Sequence, residues 1–393
     1  MNRAGYRLLY TFIFMGIGVL TTLIGPYLDH IGFTGQQIGI VTAAGTCTAI
    51  FAAPFWGRHY SHLARRAPGR RRFLVAVLCV CAATVSLLLH EISFFAGFLP
   101  AFVLLYFVQA PLAPLSDSLT IDDGYPLGRF RTFGAVGFAL AALGAAWTAD
   151  RLGISVIFPI YTACLLIAAL SLAACGGRDK GNPAGDERNR SAGEAPAGDW
   201  GLLLRNRPYV LLVICAFFIN GTDMANNTYF GFLYLEGGGT LAGVGVAFFL
   251  MAGSEAPFMA ASDRMARRLG QGRLLLITMV FSILRFGIFA MGPSSGVLLL
   301  LFPLQGLVNG ITLVEFVRFA ADTVPARLHG MAIAVYYALG SSFSTIVCQL
   351  IGGRLLDHGL LSLTGVQSVY LFFAIFNVIG VLIFWASGLH RRC

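Results

Sequence analysis

The sequence predicts an all-α membrane protein with twelve transmembrane helices arranged in two six-helix halves. Hydrophobic residues make up 57% of the 393 residues and charged residues only 11%, whereas charged residues are roughly a quarter of an ordinary soluble domain. Each membrane helix needs about 20 mostly apolar residues, so twelve helices account for most of the chain. The apolar runs are long and unbroken, which excludes a soluble enzyme, a disordered chain and an outer-membrane barrel with alternating strands.

Twelve apolar runs of membrane-crossing length define the predicted helices. They lie near residues 6–28, 34–56, 73–90, 93–121, 131–149, 154–175, 208–235, 239–262, 274–291, 296–321, 328–353 and 366–387. A polar stretch rich in Gly, Pro and charge separates the sixth run from the seventh and is typical of a flexible linker. The predicted domains are an N-terminal bundle over 1–175, a cytoplasmic linker over 176–207 and a C-terminal bundle over 208–393.

Short sequence echoes indicate that the two halves are related by duplication. The segment PFWGRHYSHLARR from Pro54 resembles PFMAASDRMARR from Pro257, about half a chain later. A second echo pairs ADRLG from Ala149 with LLDHG from Leu355, each at the end of the fifth span of its half. Transporters with internal repeats bind their substrates where the repeats meet, so a transporter is expected.

The basic residues predict the orientation in the membrane, because cytoplasmic loops carry an excess of Lys and Arg. The side that holds both termini and the linker has 23 of the 27 Lys and Arg residues, and the opposite side has two. We therefore expect a multi-pass protein of the inner (plasma) membrane with both termini in the cytoplasm. The net charge of +9 lies in short loops and does not indicate a nucleic-acid groove.

Several charged side chains fall well inside the predicted spans: Asp117, Asp223, Glu255, Arg285, Glu315 and Arg318. A charge at the bilayer centre costs about 3 kcal/mol on insertion scales, so such residues usually have a function. Glu315 and Arg318 are three residues apart and share one helix face. A neighbouring Arg favours the ionised carboxyl, whereas burial favours the protonated one, and a carboxyl between these influences can load and release a proton. The alternative interpretation is a static ion pair that holds helices together.

One cytoplasmic loop resembles a known transporter motif. The sequence SDRMARRLGQGRLL from Ser262 is similar to the D-R-x-x-R-R-x-G-x-[KR]-[KR] loop between the second and third spans of each half in the major facilitator superfamily. The resemblance implies that Asp263, Arg264 and Arg267 form a cytoplasmic gate in which the Asp pairs with Arg. The first-half loop keeps the basic residues but has two His and Tyr60 where an Asp is usual.

A second resemblance covers the fifth span. The stretch GRFRTFGAVGFAL from Gly128 to Leu140 is similar to the G-R-x-R-x-F-G-x-x-G-W-A-L stretch of lactose permease and its phenylpropionate permease-like relatives, a branch of proton symporters. The resemblance implies that Arg131 reaches the substrate cavity. Phe138 replaces the Trp that stacks on a sugar ring in that family, and packing is the alternative role for its side chain.

The same resemblance assigns roles in the second half. Glu255 lies where the family has its substrate-binding Glu, and Arg285 where it has its proton-coupling Arg. Asp223, with Asn227 and Tyr229, resembles the polar seventh span. The alternative roles are helix packing for Asn227 and Tyr229, and capping of a helix broken at the following Pro for Glu255.

The sequence therefore predicts a secondary active transporter that imports a small polar solute (sugar, nucleoside or organic acid-like) with protons by alternating access. The residues predicted to bind substrate are Arg131, Phe138, Asp223, Asn227, Tyr229 and Glu255, and those predicted to handle the proton are Glu315, Arg285 and Arg318. The alternative function is a proton-antiport exporter of drugs or a metabolite. Exporters usually carry a Gly- and Pro-rich motif in the fifth span, and this chain has no Pro between Arg129 and Ile154.

No cofactor, metal or nucleic acid is expected as a partner. The seven His residues are scattered without ligand spacing, and no phosphate-binding or dinucleotide-binding Gly pattern is present. A sensor or an intramembrane enzyme is disfavoured because the sequence has no nucleophile–base pattern. The expected partners are the solute, protons and the lipid bilayer, and the family resemblance implies a monomer.

Overall fold

The structure is a computed structural model that describes residues 3–66, 69–174, 200–360 and 362–391. In the first half the helices are α1 (Arg3–His30), α2 (Gly35–Arg66), α3 (Arg70–Glu91), α4 (Phe95–Gln109), α5 (Leu112–Asp122), α6 (Leu127–Leu152) and α7 (Ile157–Ala174). In the second half they are α8 (Trp200–Arg205), α9 (Arg207–Glu236), α10 (Leu241–Leu269), α11 (Gln271–Ala290), α12 (Ser295–Asp322), α13 (His329–Val335), a π-helical segment (Tyr336–Phe343), α14 (Ser344–His358) and α15 (Gly365–Ala386).

These helices form twelve spans that are long and apolar enough to cross a membrane, which confirms the predicted helix count within the described ranges. Nine spans are single helices, and the sixth, Ile154–Leu172, begins with a 3-10 turn (Ile154–Val156) before α7. The fourth span, Phe95–Asp122, is divided into α4 and α5 by a turn at residues 110–111. Pro111 explains the break, because proline has no N–H to donate and its ring crowds the preceding turn.

The eleventh span, His329–His358, contains the π-helical segment between α13 and α14. Its buried row is spaced by four residues throughout: Ala332, Tyr336, Gly340, Ser344, Cys348 and Gly352. In a regular α-helix each four-residue step overshoots a full turn by about 40°, so such a row would wind around the helix. The wider i→i+5 turns of a π-helix absorb the overshoot and keep the row on one side.

The described residues form two compact units. One contains residues 3–33 and 44–174, and the other contains residues 34–43 and the described residues from 200 onward. The domain boundaries predicted from the sequence remain a prediction, and most of the predicted linker, residues 176–199, lies outside the described residues. The remainder of the linker contains α8 and Asn206, whose side chain accepts a hydrogen bond from the N–H of Tyr209 and begins α9.

In the first unit α1 packs against α6 and α7, and α3 packs against α7 and α4. In the second unit α10 packs along α12, and α9 packs against α15, the π-helical segment and α14. Aromatic contacts fill the second unit's core, with the rings of Phe230 and Phe302 only 3.9 Å apart between centroids. Small residues bring α12 close to α10: a Cβ at Gly310 would lie 2.7 Å from the carbonyl oxygen of Glu255.

The first turn of α2 belongs to the second unit and is capped by a side chain of α14. The N–H of Gly35 donates to Asp357 at 2.5 Å, and the N–H of Gln36 donates to its other carboxylate oxygen at 2.8 Å. A carboxylate at this position satisfies two backbone donors that the helix itself cannot pair, and it interacts favourably with the helix dipole. Residues 34–43 are therefore held to α14 by an electrostatic cap.

Candidate functional site

Asp223 on α9 and Arg285 on α11 form a fully buried ion pair in the second unit. Arg285 is 0% exposed and Asp223 is 3% exposed. The guanidinium donates through Nη2 to Oδ1 of Asp223 and lies 4.2 Å from the centroid of the Phe286 ring. The sequence predicts substrate binding for Asp223 and proton handling for Arg285, and the structure pairs these two residues with each other.

Neutral polar side chains form a buried hydrogen-bond network beside this pair. The Tyr370 hydroxyl donates to Asn226 Oδ1 at 2.8 Å, and the Asn226 amide donates to Gln305 Oε1 at 2.7 Å. The Asn377 amide donates to the Thr222 hydroxyl at 2.7 Å. The network connects α9, α12 and α15. Tyr370 and Gln305 were not predicted as site residues, because a single polar residue in an apolar span also serves as a helix-packing contact.

Several buried polar atoms around the pair lack a hydrogen-bond partner among the described residues. They are Asp223 Oδ2, Arg285 Nε and Nη1, Asn227 Oδ1, Ser282 Oγ, Gln305 Nε2 and Asn377 Oδ1. Most buried polar atoms in proteins are paired, and each unpaired one costs about 1–3 kcal/mol. The set contains both hydrogen-bond donors and acceptors.

Tyr229 is placed differently from its predicted role. Its ring is 0% exposed and its hydroxyl donates to the carbonyl of Gln349 at 2.6 Å, so it fastens α9 to α14. This geometry supports the packing alternative for Tyr229.

Glu255 lies on the inward face of α10, four residues after buried Met251. Its side chain is half-buried. None of the described residues forms a hydrogen bond or ion pair with its carboxylate.

A third acidic side chain, Glu315 on α12, lies in a different polar cluster. It is 0% exposed and accepts hydrogen bonds from Gln271 at 3.1 Å and from Arg318 at 3.3 Å. Arg318 also pairs with Asp263 at the end of α10. The predicted proton-handling residues are thus divided, because Arg285 pairs with Asp223 whereas Glu315 and Arg318 pair with each other.

The cluster around Glu315 lines a cavity of about 280 Å³ in the second unit. Its walls are Asp263, Ala266, Arg267, Gln271, Glu315 and Arg318. The structure therefore brings two predicted gate residues, Asp263 and Arg267, together with Glu315 and Arg318. Arg264, the third predicted gate residue, has an exposed side chain.

In the first unit Arg131 pairs with Asp117. Arg131 Nη2 donates to Asp117 Oδ2 at 2.5 Å, and the Tyr10 hydroxyl donates to Oδ1 of the same carboxylate at 2.8 Å. The Arg131 side chain is 60% exposed, whereas that of Asp117 is 13% exposed. Phe138 lies on the same helix as Arg131 and packs its backbone close to Gly18 of α1, which supports the packing alternative for Phe138.

The same combination of Tyr, Asp and Arg occurs twice more at the end of α5. Tyr60 and Arg71 both donate to Asp122, each at 2.9 Å. Tyr6 and Arg72 both donate to Asp123. The first-half loop lacks the Asp of the gate motif, and α5 supplies carboxylates to the Arg residues at the start of α3. In the sequence, the feature that could have indicated these ion pairs is the occurrence of two Asp residues directly before a Gly-containing turn.

Three comparisons with known proteins give matches along nearly the whole chain. The model of the MFS_1 like family matches residues 4–364. The chain is 33% identical over 383 residues to the maltose permease of Geobacillus stearothermophilus, covering 96% of this chain and 92% of that protein. It is 26% identical over 373 residues to a probable 3-phenylpropionic acid transporter of Escherichia coli (strain K12), covering 89% and 91%. A crystal structure of the nucleoside transporter NupG has a TM-score of 0.83 at 17% identity, covering 98% of this chain and 99% of that one, which shows a common fold.

Proposed function

The chain belongs to the MFS_1 like family of membrane transporters, and on that premise we propose that it imports a small polar solute together with protons across the inner membrane. The family match and the 33% identity to a permease confirm the predicted class, a multi-pass transporter of the major facilitator superfamily. The solute, the proton coupling and alternating access are the proposed part.

The observation that carries the proposal is the set of unpaired buried atoms around Asp223 and Arg285. A binding site for an uncharged polyhydroxyl solute needs donors and acceptors that are desolvated in advance. Arg285 has two nitrogen atoms without a hydrogen-bond partner, and Asp223, Asn227 and Gln305 each have one unpaired polar atom. Rejection of less polar solutes follows, because they would leave the same groups unpaired.

The solute class proposed is a sugar or a nucleoside, with an organic acid as the third candidate. This class is supported by the similarity of the chain to a maltose permease and to a nucleoside transporter. A polar ring with several hydroxyls is common to the first two classes and fits the mixed donors and acceptors of the site. Arg131, which is exposed while paired to Asp117, is a proposed substrate ligand in the first unit.

Counterflow in liposomes tests the solute class. Purified protein is reconstituted, loaded with unlabelled solute and diluted into labelled maltose, uridine or 3-phenylpropionate. We expect counterflow with the sugar or the nucleoside. Asn227→Ala is expected to raise the KM about fivefold, because a typical hydrogen bond contributes about 1 kcal/mol and the variant leaves the buried ion pair intact.

Gln36→Ala, which removes an exposed amide in the same unit, is the matched control and should leave the KM unchanged. An unchanged KM in Asn227→Ala and in Gln305→Ala would show that the solute binds elsewhere. The direction of coupling has its own measurement in lightly buffered cells. Solute-induced alkalinisation of the medium supports symport, and acidification would mean that the chain is an antiporter.

A further inference from the structure

We propose that Glu255 is the side chain that carries the coupling proton, an inference that rests on the proposed proton symport. The charge pattern of the sequence predicts Glu315 for this role, and the family resemblance implies substrate binding for Glu255. The contacts of the two carboxyl groups favour Glu255, and not Glu315, as the residue that carries the proton.

The carboxyl groups of Glu315 and Glu255 differ in their partners. Glu315 is held by Gln271 and by Arg318, which also pairs with Asp263. Such fixed hydrogen bonds and a nearby cation stabilise the ionised form. A proton placed on Glu315 would have to displace at least one of these contacts.

Asp117, Asp223 and the two Asp residues at the end of α5 also have cationic partners. Asp117 pairs with Arg131, Asp122 with Arg71, Asp123 with Arg72 and Asp223 with Arg285. Each is therefore stabilised as an anion. Of the four acidic residues predicted inside the spans, Asp117, Asp223, Glu255 and Glu315, only Glu255 has a carboxylate that pairs with none of the described residues.

The helices packed against α10 place no cation on Glu255. Contact with α12 is made by Gly306 and Gly310, with Asn309 between them, and the charged residues further along α12, Glu315 and Arg318, contact each other. On α9 and α11, Asp223 and Arg285 form their own pair. Within the second unit no described cation pairs with Glu255, and partial burial without a cationic partner favours a protonated carboxyl.

The two protonation states of the Glu255 carboxyl need different surroundings. A protonated carboxyl needs one acceptor for its O–H, whereas an ionised carboxylate needs donors or water. Admission of water to this face would favour release of the proton, and exclusion of water would favour its uptake. This is the property that a coupling group in a carrier requires.

The experiment compares Glu255→Gln with Glu315→Gln in liposomes. Glutamine imitates the protonated carboxyl, so Glu255→Gln should retain counterflow within about twofold of the wild type. It should lose accumulation driven by an imposed proton gradient, and it should lose solute-induced proton movement. Glu315→Gln, the matched carboxyl-to-amide control, should keep accumulation. Glu255→Asp retains a carboxyl and should still accumulate solute.

Three results would overturn the proposal. The first is gradient-driven accumulation by Glu255→Gln, and the second is loss of counterflow together with accumulation, which would make Glu255 a substrate ligand. The third, loss of accumulation in Glu255→Asp while counterflow persists, covers the case in which the Gln variant does not fold. Failure of the proposed symport is distinguishable, because wild-type protein would then show counterflow without any proton movement.

Discussion

The buried pair of Asp223 and Arg285 shows how a span can hold a full charge away from water. Each ion is desolvated at a cost of several kcal/mol, and the partner's charge offsets that cost. The pair forms one hydrogen bond and leaves three further atoms unpaired. Its contribution to stability is therefore small, and in the proposed function the pair provides a fixed arrangement of donors and acceptors for a polar solute.

Neutralising one member of the pair should destabilise the protein more than neutralising both. Asp223→Asn or Arg285→Gln leaves an uncompensated buried charge, which costs about 3–5 kcal/mol, whereas the double variant leaves none. The unfolding midpoint of purified protein in detergent measures the effect. Arg264→Gln, an exposed charge, is the control and should leave the midpoint unchanged. A double variant less stable than either single one would contradict this account.

The charged residues of the sites are predictable from the sequence, whereas most of their hydrogen-bond and ion-pair partners are not. Charged residues inside apolar runs are recognisable in a single sequence, because they interrupt a hydrophobic segment. Tyr10 and Asp117 are 107 residues apart, and nothing in local pattern indicates that they meet. Likewise Tyr229 and Asn227 both carry polar groups in an apolar span, and only the contact with α14 shows that the Tyr hydroxyl is already hydrogen-bonded.

At the scale of elements, the contact between α9 and the eleventh span follows the four-residue row. Asn220 donates to the Tyr336 hydroxyl at 2.9 Å and to the carbonyl of Gly340 at 3.2 Å. Further along, the Ser344 hydroxyl donates to the carbonyl of Phe217. The spans themselves were predictable from apolar length. The break at Pro111 and the π-helical segment were not, because hydropathy is insensitive to the way in which a helix is wound.

Close approach in this contact predicts a strong effect of one methyl group. In Gly221→Ala the new Cβ would overlap the Ser344 hydroxyl and lie 2.7 Å from the Ser344 carbonyl carbon, so backbone must move at a cost of about 1–3 kcal/mol. Gly287→Ala is the matched control on α11, where a Cβ meets no atom within 4 Å, and better helix propensity should keep or raise stability. Equal unfolding midpoints for the two variants would show that the helices are less closely packed.

At the scale of the whole molecule, the distribution of Lys and Arg predicts the orientation. A ratio of 23 to two basic residues between the two sides predicts that both termini lie in the cytoplasm. A green fluorescent protein fused after the last residue should fluoresce, and alkaline phosphatase fused after Gly153, between α6 and α7, should be active. Active phosphatase at the C-terminus would reverse the orientation and with it the side from which the solute is taken up.

The π-helical segment has a mechanical consequence for the span that contains it. The two α-helical parts on either side of it are connected through eight residues that could also be wound as ordinary α-turns, with one residue fewer in each turn. Each one-residue change in this winding would rotate Ser344–His358 about its own axis by about 100°, which is the rotation per residue in an α-helix. Asp357 would then swing off the first turn of α2, which would lose two hydrogen bonds at once.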